Sequence, residues 1–230
     1  MSDLFLLPFA GGSSLIYERW HFQEPILAVP LDYKGHGYRM REPLCDSFEE
    51  TVSDISDQIR QKHSGNDISL FGHSMGGLVA WDTANRLADE GLPVRNVIIS
   101  ACLPPHRFRE EKYAMMATDE WLATFLARYG RIRPEKMETD FFRNRLYPAI
   151  QNDYRLISIH RHEEIRKRPF PLACFYGQQD ELMPKEGMEE WEAYTESRFC
   201  LKAFRGSHFY IEDERSRKEV IMAIESFIES

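Results

Sequence analysis

Ile68-Ser69-Leu70-Phe71-Gly72-His73-Ser74-Met75-Gly76-Gly77 is the stretch on which the reading of the whole chain turns. Its first four residues make a short apolar run of the kind buried in a parallel sheet, and from Met75 to about Glu90 the composition favours helix. Between them lies a Gly-x-Ser-x-Gly pentapeptide. A strand that turns straight into a helix forces its serine into a strained backbone conformation, and the residues two positions away on either side must be small to avoid collision. Gly72 and Gly76 meet that need. The same turn sets Ser74 at a helix N-terminus, where unpaired backbone N–H groups and the helix dipole favour developing negative charge. A bare Gly-x-Ser-x-Gly is as readily a structural turn; the strand before it and the helix after it make Ser74 a candidate nucleophile.

Working outward, short apolar runs alternate with longer amphipathic ones. Strands are expected at Leu4 to Phe9, Ile26 to Leu31, Ile68 to Phe71, Val94 to Ala101, Leu172 to Tyr176 and Phe199 to Phe204. Ser47-Phe48-Glu49-Glu50 reads as a capping box, and Phe48, Val52, Ile55 and Ile59 then fall on one helical face. Further helices are expected from Pro184 to about Tyr194 and from about Asp213 to the end, where Val220, Ile221, Ile224 and Ile228 form an apolar stripe. Alternation of this kind predicts a mostly parallel central sheet flanked by helices, and the serine elbow makes it an α/β-hydrolase fold. Residues 105–168 break the alternation: no strand pattern is present, and helix-like segments are separated at Gly130, Pro134 and Pro148. They read as a helical insertion over the carboxyl edge of the sheet, within one domain covering residues 1–230.

That insertion holds 14 Lys and Arg against 10 Asp and Glu, a net of +4, which leaves −12 for the rest of a chain whose net charge is −8. The overall acidity argues against a nucleic-acid-binding surface, which needs a continuous basic face. No window approaches the roughly 18 apolar residues that would span a bilayer, and the apolar run at Leu4 to Ala10 lacks the basic leader of a signal peptide. Cys45, Cys102, Cys174 and Cys200 are widely spaced without a Cys-x-x-Cys pair, as expected of reduced core thiols in a cytoplasmic, monomeric protein.

A nucleophilic serine needs a base and an acid that orients it, which in this fold follow in the chain order Ser, Asp or Glu, His. His208, in Gly206-Ser207-His208-Phe209 between the last strand and the last helix, is the candidate base. Asp180 follows the strand Leu172 to Tyr176 through Gly177-Gln178-Gln179 and is the candidate acid, with Glu181 and, more remotely, Asp213 as rivals. The oxyanion of a tetrahedral intermediate needs two N–H donors. Met75, next after the nucleophile, supplies one, and the loop Pro8-Phe9-Ala10-Gly11-Gly12-Ser13 should supply the other. His160-x-His162-Glu163-Glu164 carries metal-capable side chains, but positions i and i+2 of a helix point apart, so a solvated face and no metal site is expected there. His73 is expected to pack beside the nucleophile, and His36, in Lys34-Gly35-His36-Gly37, has no catalytic role assigned.

Taken together, Pro8-Phe9-Ala10-Gly11-Gly12-Ser13, Gly72-His73-Ser74-Met75-Gly76-Gly77, Gly177-x-x-Asp180 and Gly206-x-His208-Phe209 resemble the type II thioesterases that accompany nonribosomal peptide and polyketide synthases, over nearly the whole chain. The resemblance implies a helical lid at the insertion, a second oxyanion donor at Ala10, and a partner: the acylated phosphopantetheine arm of an acyl or peptidyl carrier protein, with no cofactor of the chain's own. It departs at Pro30-Leu31-Asp32-Tyr33-Lys34-Gly35-His36-Gly37-Tyr38-Arg39, where many relatives carry a proline-glycine-arginine sequence. A general carboxylesterase or lipase would share the serine, histidine and acid but gain little from a basic lid. A noncatalytic binding protein of the same fold should have lost one of them. For the carrier, Arg107, Arg109, Lys112, Arg128, Arg131 and Arg133 are the candidate docking residues.

Overall fold

The computed structural model describes residues 1–109, 118–129, 134–160 and 165–230. Its centre is a six-stranded sheet in which every pairing is parallel. The strands are β1 (Ser2–Leu7), β2 (Ile26–Pro30), β3 (Asp67–His73), β4 (Val94–Ser100), β5 (Leu172–Gly177) and β6 (Phe199–Phe204), in the spatial order β2-β1-β3-β4-β5-β6. All of β1 is buried and β3 is buried from Ile68 onward, which is why both read as continuous apolar runs without alternation. The helices are α1 (Phe48–Lys62), α2 (Met75–Asp89), α3 (Asp119–Tyr129), the single turn α4 (Pro134–Met137), α5 (Tyr147–Ile159), α6 (Lys185–Glu189) and α7 (Glu214–Glu229). Because β2 and β3 lie on opposite sides of β1, the strand order reverses between β1 and β3. In open parallel sheets that crevice, outside the carboxyl ends of the strands, is where ligands bind.

Several boundaries differ from expectation, for identifiable reasons. β1 ends at Leu7 instead of Phe9, because Pro8 has no N–H to give a neighbouring strand and Phe9 begins a tight turn. The helix expected from Pro184 to Tyr194 is a short α6 followed by a 3₁₀ turn, Glu190–Tyr194. Ser47 caps α1 by accepting the Glu50 N–H at 3.0 Å, but the Glu50 carboxylate turns to the Asp46 N–H and Lys34 (both 2.9 Å), so the capping box lacks its reciprocal arm. In the insertion, a π-helical turn at Phe142–Leu146 runs directly into α5, with Pro148 in the first turn of α5, so the change of helix type falls beside this proline. Gly130 lies outside the described residues, and Pro134 opens α4. Among the described residues no helix is long and apolar enough to cross a membrane.

Candidate active site

Ser74 closes the junction of β3 and α2 in a backbone conformation that side chains rarely adopt (φ 56°, ψ −122°). It is held there because its N–H donates to the Ser100 carbonyl at 2.7 Å and its own carbonyl accepts the Gly77 N–H at 2.8 Å. The flanking glycines are obligatory. A Cβ on Gly72 would lie 1.9 Å from the Gly76 oxygen, and one on Gly76 would lie 2.4 Å from the Leu7 oxygen.

The loops after β5 and β6 bring two more side chains to this elbow. Gln178 and Gln179 donate their N–H groups to the Phe204 and Gly206 carbonyls at 2.8 and 2.9 Å, and Gly206 returns its N–H to Oε1 of Gln179 at 2.7 Å. Tied together in this way, the loops set Oδ2 of Asp180 at 2.8 Å from Nδ1 of His208, whose Nε2 lies 3.0 Å from Oγ of Ser74. A carboxylate only accepts, so Nδ1 carries the proton and Nε2 offers its lone pair to the serine hydroxyl. Oδ1 of Asp180 is fixed in turn by the Leu182 and Met183 N–H groups at 3.0 and 3.2 Å. Both rival acids are engaged elsewhere: Glu181 is an exposed partner of Arg128, and Asp213 caps α7 by accepting the Ser216 N–H at 3.0 Å.

His73 is buried beside the elbow with its ring 5.5 Å from that of His208. Its Nδ1 is 2.7 Å from Oγ of Ser100, which is 2.6 Å from the Tyr210 hydroxyl, so a buried chain of polar groups joins the end of β3 to the His208 loop. Sequence reading placed His73 but missed Ser100 and Tyr210, neither of which belongs to a motif.

On the other side of the crevice, Leu7 pairs with Gly72, which draws the loop after β1 alongside Ser74. That loop begins with a turn closed by the Gly12 N–H donating to the Phe9 carbonyl at 2.8 Å, with Gly11 at φ 72°. A positive φ at the third position is the mark of a type II turn, whose own hydrogen bond leaves the N–H of its second residue, here Ala10, unused. The Tyr33 hydroxyl donates to the Pro8 carbonyl at 2.8 Å, and the Gly11 N–H donates to Oδ2 of Asp153 on α5 at 2.7 Å. The same carboxylate oxygen lies 2.9 Å from Nε2 of His36, which is buried. The sequence singled out neither Asp153 nor its pairing with His36, since 117 positions separate the two.

Beside Ser74 and His208 opens a pocket of about 290 Å³ walled largely by Leu78, Phe108, Trp121, Phe125, Ile157 and Met183. Phe125 and Tyr154 divide it from a second cavity of about 240 Å³ against Phe9, Ala10 and Phe209. The insertion thus supplies much of the apolar lining. His160, expected on a solvated face, is instead stacked on Phe48 at 3.9 Å between ring centres, with Nε2 3.2 Å from Oδ2 of Asp82; residues 161–164 lie outside the described part. Of the candidate docking residues, Arg107 pairs with Glu190 at 3.1 Å and Arg128 with Glu181. The side chain of Arg109, and all of Lys112, Arg131 and Arg133, lie outside the described residues.

Known proteins resemble this chain over nearly its whole length. A family model described as a thioesterase domain matches residues 2–228. The thioesterase TesA of Mycobacterium marinum is 28% identical over 227 residues, spanning 96% of this chain and 89% of that one. Among solved structures, ClbQ from the colibactin NRPS/PKS pathway superposes with a TM-score of 0.88 at 27% identity, covering 99% of this chain and 97% of its own. The type II thioesterase BorB from the borrelidin biosynthetic cluster superposes with a TM-score of 0.84 at 25% identity, covering 99% and 92%.

Proposed function

This chain belongs to the thioesterase domain family, and from that premise we propose that it hydrolyses acyl or aminoacyl thioesters held on the phosphopantetheine arm of carrier proteins, clearing stalled or misprimed groups in nonribosomal peptide or polyketide synthesis. The observation that carries the reading is the run of contacts from Asp180 through His208 to Ser74 at 2.8 and 3.0 Å, ending at an elbow that opens into an apolar pocket.

In the proposed reaction His208 Nε2 takes the proton of Ser74 as Oγ attacks the thioester carbonyl. Asp180 holds the ring in the required tautomer and stabilises the imidazolium. The N–H groups of Met75 and Ala10 receive the oxyanion. Collapse breaks the C–S bond, and His208 returns the proton to the departing sulfur, releasing the carrier thiol. A thiol, with a reference pKa of about 8.5, leaves with little help, so forming the tetrahedral intermediate is the demanding step. Water, deprotonated by His208, then attacks the acyl-serine and frees the acid. This sequence uses no metal and no cofactor of the chain's own, because the phosphopantetheine belongs to the carrier.

The apolar lining favours an acyl group with a hydrocarbon body, and the insertion that supplies it acts as the lid, within one domain over residues 1–230. The decisive experiment compares an acyl-carrier thioester with a nitrophenyl ester of the same acyl group. The proposal expects a higher kcat/KM on the carrier substrate, with both activities abolished by Ser74→Ala. Preference for the nitrophenyl ester would instead identify a general esterase.

A further inference from the structure

One carboxylate oxygen joins three segments remote in sequence. Oδ2 of Asp153, on α5, accepts the Gly11 N–H of the turn after β1 and faces Nε2 of His36 in the loop after β2, at 2.7 and 2.9 Å. Nδ1 of His36 lies 2.9 Å from the Lys34 carbonyl. Carbonyl and carboxylate are both acceptors, so the two ring nitrogens must both donate, and His36 is an imidazolium. Burial opposes that charge, but the Asp153 carboxylate and the Lys34 carbonyl outweigh it and raise the pKa of His36. A buried ion pair is weak ground for stability in itself, so its significance lies in what it holds. One turn before Asp153, Ile150 presses on the same glycine: a Cβ on Gly11 would lie 2.2 Å from Cγ1 of Ile150. Helix α5 therefore grips the turn by a hydrogen bond and by contact, at the residue next to Ala10.

We propose that Asp153, held by His36, is the positioning residue of the oxyanion hole: by binding the Gly11 N–H it fixes the whole turn Phe9–Gly12 so that the Ala10 N–H faces the oxyanion formed at Ser74. The hole is then complete only while α5 is seated on the turn. This rests on the roles given above to Ser74, Met75 and Ala10. It also has a pH signature. If His36 loses its charge, either tautomer turns a ring lone pair onto the Lys34 carbonyl or onto Asp153. Among the described residues, the other ionisable groups about His36 are Asp32, whose carboxylate accepts the Ser14 and Tyr38 N–H groups, and Tyr33, whose ring lies edge-on at 5.7 Å. Because folding raises the pKa of His36 above its ordinary value of 6.5, the linkage is fully present below about pH 6.5 and is lost as pH climbs through the raised value.

The test assays purified full-length Asp153→Asn and His36→Gln on a small acyl thioester, with an acyl trifluoromethyl ketone as an analogue whose adduct places an oxyanion in the hole. Kcat should fall about 10- to 100-fold, somewhat less than deleting a donor outright, while KM stays within about threefold. The inhibition constant of the ketone should weaken by the same factor as kcat. In wild type kcat should decline on the alkaline side, and His36→Gln should lack that limb. Unchanged kcat and ketone affinity, or a loss confined to KM or Tm, overturns the proposal. Should Asp153→Asn fail to fold, His36→Gln decides alone. Ser74→Ala in the same assay separates the two levels: if it retains turnover, the catalytic assignment itself fails, whereas an inactive Ser74→Ala beside a fully active Asp153→Asn sinks only the role of Asp153.

Discussion

Oδ2 of Asp180 stands 2.8 Å from Nδ1 of His208, while Glu181, the next residue, points outward to Arg128. Adjacent acids on one loop thus have unlike settings: one is buried and fixed by three hydrogen bonds, the other is 71% exposed at its side chain. Asp180→Asn should therefore lower kcat on the order of 10⁴-fold by disturbing the histidine tautomer. Glu181→Gln should leave turnover of a small acyl thioester within about threefold of wild type, an exposed ion pair being worth no more than about 1 kcal/mol. The reverse ranking, read from steady-state kinetics of the two variants, would move the acid to Glu181.

Acidification should suppress the reaction, because a protonated Nε2 cannot accept the hydroxyl proton of Ser74. The kcat/KM profile for a small thioester should rise with pH on its acid side, and the rise should be present in Asp153→Asn as well, since that variant leaves His208 untouched. A kcat/KM that does not fall on acidification would remove His208 as the base.

The elbow leaves no room for a methyl group. Gly76→Ala should yield little folded protein, because its Cβ would meet the Leu7 and Pro8 carbonyl oxygens at 2.4 and 2.6 Å, rigid backbone that cannot step aside. Gly65→Ala is the useful control. Gly65 also has a positive φ, 91°, but open space around it, so only backbone strain of roughly 1–3 kcal/mol is expected. Tm values and soluble yields should separate the two; a well-folded Gly76→Ala would mean that the strand-to-helix turn can relax.

What the sequence made legible was local. The Gly-x-Ser-x-Gly turn, the apolar runs of the six strands and the loops bearing Asp180 and His208 each carry their signal within a few residues, and the parallel order of the sheet follows from their alternation with helices. Contacts across the chain were not legible. Asp153 joins Gly11 over 142 positions and His36 over 117, and nothing in the neighbourhood of any of the three marks the pairing. The helix ends have a similar limit: a proline such as Pro148 disrupts a helix interior but is tolerated in a first turn, and which of the two it occupies depends on where the preceding turn begins.

Phe125 walls off the pocket beside Ser74 from the cavity beside Ala10, so shortening it should change which acyl groups fit. Phe125→Ala should join the two spaces and shift kcat/KM toward longer or branched acyl thioesters. Each methylene newly accommodated is worth about tenfold or more. The cost is stability, at most about 3–5 kcal/mol for a large core side chain truncated to alanine. A chain-length series on the purified variant, with Tm measured in parallel, checks both effects. A uniform drop at every length would show that Phe125 supports the fold without shaping the site.

The proposed role of the basic insertion in guiding a carrier can be tested on its arginines, two of which are in ion pairs. Arg107 and Arg128 each face a glutamate of the α6 region or the Asp180 loop, so their charge is already partly neutralised. Arg131 and Arg133 also add to the net +4 of residues 105–168 and lie outside the described part. Charges of this kind contribute little affinity singly, but several together accelerate encounter with an acidic partner and are screened by salt. Reversing both to Glu should raise KM for an acyl-carrier protein several-fold, on the order of 1 kcal/mol, and flatten its salt dependence. Hydrolysis of a small acyl thioester should stay close to wild type. Equal losses on carrier and small substrates, at every salt concentration, would mean that these residues support the insertion itself, and carrier docking would have to be sought on another face.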